Sequence, residues 1–513
     1  MQTLVTWRPT HLKCMLTINV PNNAVLKRRL TLWIVFSVLS YILSSLCSPT
    51  LSWFSNYNGH SLDQNVYHLI GKYWMEGAIP YKDFGDLKGP LLYLIYGLAS
   101  LITPLSFAAL RLFHSLLIGV GMLFAYESLK LFLPAKWAVP AFLTYLSYTV
   151  PFGGNPSEYV WAMQHIVWYF VLCYLKDGGK PFRYPALITT GFCVGATICL
   201  KYNLIITFFP SCVLMLFCSR YKWYQSLQFL SIGCLSILLP FVIYFHSNGA
   251  LADLVEEYFL TAIKYGGVPM EQSAICTSNI KLLQEFLPFK YEMLPSALLT
   301  ASGSIVLVLS LIPFSARQTF QIKRTGIILH LSSIILTSVV LYMGPHKWSH
   351  YAFSLHPFLI TAFAGVFKFI ELRIHPPFLR HGLVCCGLSI PLLMVLLFTH
   401  RSMKYSKYAS TAGVKSVAAH IGNSTFITDG TTNIILYRLT NTRPPIKHFV
   451  PQYIKGGMEL HYNEIHAHIS TTQPEYLIMS DTRANTLIPR LFKHGLSYTK
   501  CPTSESIGVY KKN

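Results

Sequence analysis

The stretch DQNVYHLIGKYWMEGAIPYKDFGDLKGPLLYLIYG, residues 63–97, sets Glu76, Lys82, Asp83, Asp86 and Lys88 between strongly apolar segments. Before it lies an apolar run at 30–46, and its own end opens another at 91–103. Carboxylates are costly in hydrocarbon, and those kept at membrane depth are paired or functional. A polar, aromatic, acid-bearing loop between two such runs therefore marks a place where membrane meets water.

The rest of the chain supports that setting. Of its 513 residues 52% are hydrophobic and only 12% charged, with a mean hydropathy of +0.43. A soluble domain carries about 25% charged residues. Apolar runs recur at 107–128, 138–150, 158–175, 184–200, 203–218, 227–245, 294–313, 325–343, 352–370 and 382–398, which with the first two defines a polytopic α-helical membrane protein. The net charge of +21 does not point to nucleic acid, because the basic residues sit in short loops between apolar runs. The positive-inside rule produces that placement, and anionic lipid is a further partner for it. The twelve cysteines form no C-x-x-C pair and fall mainly inside apolar segments, where they act as small packing residues.

Residues 1–29 end in Lys27, Arg28 and Arg29 and are expected to be a cytoplasmic segment ahead of an uncleaved first span. The basic loops 176–183, 220–222, 317–324 and 368–380 then belong to the cytoplasmic side. A first outer loop at 49–89 and a long outer loop at 247–293 belong to the other. With every apolar run counted as a crossing, 151–157 lands on the wrong side, so one crossing is missing or one short run between 89 and 157 is re-entrant. About twelve to thirteen transmembrane helices are expected in a 30–400 membrane domain. The tail, 401–513, changes character: strand-like STFITDG, EYLIMSD and IGVYKK alternate with helix-like NIILYRL, YNEIHAHIS and LIPRLFKHG. It reads as a small soluble α/β domain on the outer side.

Asp63 stands at the head of a helix-like segment. It suits either a general base toward a hydroxyl or a helix cap, and the two are compatible. Lys88, with Gly89 and Pro90, precedes an apolar run, where an ammonium suits a phosphate or snorkels to the interface. Asp83 and Asp86 pair with Lys82 and Lys88 or face a substrate. His461, His466 and His468 carry an H-x-H, which is more often a polar helix face than a zinc site, and no metal ligand set is assigned. Asp253, Glu256 and Glu257 read as a solvated face of an amphipathic helix.

The order of these features resembles the GT-C glycosyltransferases, in particular the bacterial protein-mannosyltransferase-like and aminoarabinose-transferase-like branch. The matching features are an Asp after the first span, an aromatic helix and G-x-x-P-Y-x-D-x-x-D-x-K-G-P-L-x-Y. Arg111 in ALRLFHSLL, Glu158 in GGNPSEYVW, the lysine of GATICLKYN and the loop HKWSHYAFSLHP follow in the family's order, over roughly 60–370. The resemblance implies a sugar taken from a polyprenyl-phosphate donor and passed to a lipid or glycan acceptor at the outer face of the inner membrane. Asp63 would be the catalytic base, and Lys88 with Lys347, His350, Tyr351 and His346 would face the donor phosphate. Asp83, Asp86, Arg111 and Glu158 would be substrate contacts. Asp63 is followed by Gln64, a departure from the Asp-Glu pair of the eukaryotic mannosyltransferases that speaks against a protein acceptor. Two other readings share a lipid-linked saccharide. A transporter or flippase would place charges at mid-membrane and show repeats. A polymerase or ligase would centre its chemistry on a large later loop such as 247–293.

Overall fold

The computed structural model describes residues 23–48, 50–52, 62–148, 153–261, 328, 332–336, 355–373, scattered positions from 382 to 403, and most of 411–513. The apolar run after the basic N-terminal segment forms α1 (Asn23–Cys47). Its antiparallel partner is α4 (Ala108–Lys130). At one end Arg28 pairs with Glu127 at 3.0 Å. At the other, Arg111 Nε donates to the Leu51 carbonyl at 2.5 Å. Between them Trp33 Nε1 donates to the carbonyl of Leu116.

Between α1 and α4 lie α2 (Leu62–Met75) and α3 (Pro90–Ile102). They cross at Gly71 and Gly97. A Cβ on Gly71 would stand 2.5 Å from the Tyr93 carbonyl oxygen and 2.6 Å from the Gly97 nitrogen, so backbone touches backbone there. The 91–103 run, expected as a crossing, forms a helix shorter than a full span. α3 has 13 residues, about 20 Å of helix, against a hydrocarbon core of about 30 Å. The carbonyl of Pro104, just past its end, meets His68 Nε2 at 2.7 Å, and α4 then starts beside Leu51. The chain thus returns along α2 to the end of α1 before α4 begins, which makes α3 the short run that fits a re-entrant reading.

With α3 removed, the order is regular. α5 (Ala135–Tyr148) and α6 (Pro156–Lys176) follow α4. Tyr96 Oη donates to the Gly154 carbonyl at 2.9 Å, which brings the α5–α6 connection back to the first loop. Among the described residues, four helical stretches are long and apolar enough to cross a membrane by length and composition: Asn23–Cys47, Ala108–Lys130, Tyr184–Phe217 and Trp223–Ser247. The third, 34 residues long, is a hairpin. Phe182 pairs with Ser219, and the Phe182 amide donates to the Cys218 carbonyl. So α7 (Tyr184–Lys201) rises, the chain breaks from helical geometry at Lys201 (φ −163°, ψ 88°), and a 3-10 turn (Tyr202–Phe208) leads back through α8 (Phe209–Phe217). The 184–200 and 203–218 runs are therefore two passes. α9 (Trp223–Ser247) follows, with Ile232, Leu235, Leu239, Val242 and Ile243 exposed, a surface suited to lipid, and then the short α10 (Leu251–Leu254).

The tail forms the expected α/β unit. Its four-stranded sheet has the order β1-β2-β4-β3, from β1 (Phe426–Thr428), β2 (Tyr476–Met479), β3 (Tyr498–Lys500) and β4 (Gly508–Lys512). β1 and β2 are parallel, with Phe426 opposite Tyr476, and β4 is antiparallel to both β2 and β3. The helix-like segments form α13 (Ile435–Leu439), α14 (Gly457–Thr472) and α15 (Asp481–Phe492), after α12 (Thr411–Ile421) and after a membrane-domain helix, α11 (His356–Arg373). The expected 294–313 span and most of 325–343 and 382–398 lie outside the described residues.

Candidate active site

The first loop folds around aromatic side chains. Tyr81 holds a left-handed backbone (φ 68°), a conformation that a bulky residue keeps only when its surroundings impose it. It is fully buried against Tyr93, Phe245 and Tyr258. From there Tyr81 Oη donates to the Lys88 carbonyl at 2.6 Å. Gly89 then lies so close to α7 that a Cβ would stand 2.0 Å from the Cys199 carbonyl oxygen. Its amide donates to the Leu200 carbonyl at 3.3 Å. A side chain at this position would lift the loop off α7. The contact brings Lys88 to the turn where Lys201 ends its helix.

Lys201 is buried. Its Nζ donates to Ser157 Oγ at 3.3 Å, and it lies within electrostatic reach of Lys88 and Asp63. Lys88 Nζ stands 5.8 Å from the centre of the Tyr67 ring. Tyr67 packs on Tyr93 and Tyr96, and its hydroxyl donates to Asp63 Oδ2 at 3.2 Å. Asp63 sits in the first turn of α2 and is exposed, so its carboxylate is open to an incoming molecule. Asp86 accepts from the Tyr93 hydroxyl at 2.5 Å. Burial pushes the Asp86 carboxyl above the usual carboxylate range, against the opposing pull of Lys88 and the Tyr93 hydroxyl. Two lysine amino groups, two carboxyl groups and a tyrosine wall thus converge where the first loop meets the apolar helices.

The other expected site residues have different surroundings. Asp83 Oδ2 accepts from the Ile79 amide at 2.7 Å and lies 3.6 Å from Arg443 of the C-terminal domain. Lys82 reaches the Asn248 carbonyl rather than either acid. Arg111 is buried, with its Nε on Leu51 and its guanidinium over the Tyr41 ring. Glu158 is buried at 1% exposure. Its Oε2 accepts from the amides of Gly153 and Gly154 at 3.0 and 3.1 Å, with His114 Nε2 at 3.7 Å. Glu158 so braces the turn that presents Ser157 to Lys201. His346, Lys347, His350 and Tyr351 lie outside the described residues. His461 holds two backbone carbonyls, those of His448 and Asp429, which is a structural use of the H-x-H. Asp253 and Glu257 are not a solvated face, since both face Lys447. The sequence marks Lys201 as a lysine closing a span without giving it a role. A lysine in the last turn of an apolar helix, directly before Tyr-Asn, was the available signal. Ser157 carried none.

The fold combines apolar helices, a polar first loop packed among them and a small α/β domain. Among solved structures, the chain is similar to ArnT from Cupriavidus metallidurans bound to undecaprenyl phosphate, with 13% identity, 94% of this chain and 97% of that one covered, and a TM-score of 0.64. It is similar as well to the same protein in the apo state, with 12% identity, 95% and 98% coverage and a TM-score of 0.61. At that identity the likeness concerns the fold. No family model matches the chain, and no curated protein matches it.

Proposed function

We propose that the protein is a membrane glycosyltransferase that moves a sugar from a polyprenyl-phosphate donor to a lipid or glycan acceptor at the outer face of the inner membrane. The observation that supports this reading is the convergence of Lys88, Lys201 and exposed Asp63 at the ends of apolar helices. It occurs in a fold shared with a protein whose structure holds undecaprenyl phosphate. The donor phosphate takes its place beside the two lysines, and its hydrocarbon tail runs along the membrane helices. Asp63 faces the acceptor.

The chemistry follows from those positions. The acceptor hydroxyl oxygen attacks the anomeric carbon while the bond from that carbon to the phosphate oxygen breaks. The electron pair leaves on the phosphate, and the hydroxyl proton passes to the Asp63 carboxylate. A single displacement inverts the anomeric centre. Charge grows on the phosphate as the bond breaks, so Lys88 and Lys201 bind the transition state more tightly than the ground state. A leaving phosphate stabilised in this way needs no second carboxylic acid of the glycosidase kind.

The test is transfer by purified protein from undecaprenyl-phosphate-linked sugars to lipid and glycan acceptors, with products identified by mass spectrometry. Transfer with release of the free carrier phosphate is the expected result. Release of no carrier phosphate with any donor, from protein that is folded and monodisperse, would overturn the reading.

A further inference from the structure

The C-terminal domain grips the first loop at one histidine. His448, in the segment between α13 and α14, lies between two carboxylates. Its Nδ1 is 2.6 Å from Glu464 Oε1 on α14, and its Nε2 is 3.1 Å from Glu257 Oε1. Glu257 belongs to a π-helical turn (Val255–Leu260) that follows α9 in the membrane domain. The His448 amide also donates to Glu464 Oε2. Next door, Lys447 Nζ pairs with Glu257 at 3.0 Å and Asp253 at 3.5 Å, while its carbonyl accepts from the Gly85 amide at 3.0 Å. Gly85 lies against the ring: a Cβ there would stand 2.5 Å from His448 Cδ2 and Nε2. On the far side of the loop, Arg443 stacks over Phe84 and faces Asp83.

With an acid at each ring nitrogen, the imidazole is held as a cation with both N–H groups donating. Burial alone would lower the affinity of His448 for its proton. The hydrogen bonds and charges of Glu257 and Glu464 outweigh that and hold it up at about 9.

We propose that His448 is a positioning residue for the transfer reaction: by bridging Glu257 and Glu464 it clamps the C-terminal domain onto Gly85 and so fixes Asp86 and Lys88 beside Asp63. This rests on the glycosyltransferase reading for its kinetic consequence, but the clamp itself does not. Gly85 directly precedes Asp86, and two residues further on Lys88 meets the phosphate. A loose loop misplaces a charge that matters most in the transition state, so turnover falls more than donor affinity.

Two variants separate this role from a merely structural one. His448→Gln puts an amide near the Nε2 position and keeps the bridge to Glu257. His448→Asn puts it near Nδ1 and keeps only the bond to Glu464 within the C-terminal domain. The full chain is purified in each form, and kcat, KM for a polyprenyl-phosphate sugar and amide exchange over 79–88 are measured. In His448→Asn, kcat is expected to fall about tenfold or more, the loss of one charged hydrogen bond. KM should move by less than about threefold, and the Gly85 amide should exchange faster. His448→Gln should retain most of the wild-type values. Glu257→Gln should fall between the two.

The groups facing His448 or its two carboxylates among the described residues are Glu257, Glu464, Lys447 and His461, with Asp253 on Lys447 and the Asp83–Arg443 pair beside the loop. Of these, His448 is the one held at about 9. The wild-type rate should therefore decline as pH rises through about 9, and His448→Gln should lack that limb. Equal losses in the two variants, a larger loss in His448→Gln, or unchanged exchange at Gly85 in His448→Asn would each overturn the clamp. If the wild type transfers no sugar, the glycosyltransferase reading fails, and exchange at Gly85 alone still decides whether the clamp exists.

Discussion

Asp63 shows how one carboxylate can meet a local and a chemical requirement together. In the first turn of α2 it complements the helix dipole, and it remains exposed with Tyr67 as its hydrogen-bond partner. The two lysines differ from each other in setting. Lys88 is carried by a loop and Lys201 by the end of a buried helix, and Ser157 is a neutral partner for the second. We expect Lys88→Ala and Lys201→Met each to reduce transfer by about ten- to a hundredfold, the worth of a charge-assisted contact of roughly 1.5–3 kcal/mol. Lys88→Arg should recover part of the loss. Normal turnover in either alanine or methionine variant, at intact expression, would remove that lysine from the phosphate site. Asp63, Asp86 and Lys88 were legible because an acid and a lysine are conspicuous beside apolar runs. Glu158 was equally conspicuous, but its partners are the amides of a glycine turn, and no spacing reveals whether a buried carboxylate holds a substrate or a backbone.

The helices were legible where length and hydropathy agreed. The 107–128 run is α4, and the 184–218 region makes two passes. The 91–103 run was ambiguous because an apolar 13-residue helix looks the same whether it crosses lipid or lies against other helices. Its packing on α2 rests on contact at Gly71 and Gly97, and glycine pairs distant in sequence have no period to read. If α3 stays on the first-loop side, single cysteines at Glu76 and at Leu105, both exposed and on either side of α3, should be labelled by an impermeant thiol reagent from the same side of the membrane, in a background without native thiols. Labelling from opposite sides would mean that α3 crosses. Crowding the α2–α3 contact with Gly71→Val should destabilise the protein by about 1–3 kcal/mol, the usual effect of overpacking, read as a fall in unfolding temperature. An unchanged unfolding temperature would contradict the close approach.

The molecule as a whole places its candidate site between a membrane domain and a soluble one. The sequence announced both parts, the first by apolar runs and the second by strands alternating with helices. It did not announce how they meet, because Glu257 and His448 are 191 positions apart and ion pairs at that separation leave no local pattern. Their titration limits the docking from both sides. A histidine held at about 9 contributes fully below its ordinary value near 6.5, and the contribution is lost as pH rises through about 9. Burial would raise Glu257 and Glu464, but His448 outweighs it in both, helped by Lys447 at Glu257, and holds them below the ordinary carboxylate value. Their contribution is present above that value and lost as pH falls through the lowered ones. Amide protection at Gly85 should therefore be greatest between about pH 5 and 8, and protection that rises steadily beyond pH 9 would refute this. By the positive-inside rule we expect the basic loops in the cytoplasm and the C-terminal domain outside. A cysteine at Asn423 should accordingly react with an impermeant reagent in intact cells, and one at Lys222 should not. The reverse pattern would invert the orientation.

The central claim is that Asp63 accepts the proton of the attacking hydroxyl. Asn at position 63 retains an acceptor for Tyr67, and losing one exposed charge from the first turn of α2 costs only about 0.3–1 kcal/mol, so the fold should stand while the basicity is lost. Sugar transfer from a polyprenyl-phosphate donor is measured with purified wild type, Asp63→Asn, Asp83→Asn and Asp86→Asn, with membrane insertion and thermal stability followed in parallel. General-base catalysis contributes about a hundred- to ten-thousandfold. We expect Asp63→Asn to lose at least about a hundredfold with unchanged insertion and stability, and the other two variants to lose less. Full activity in Asp63→Asn, with the loss falling instead on Asp83→Asn or Asp86→Asn, would contradict the assignment of the base. Full activity in all three would contradict the glycosyltransferase mechanism itself.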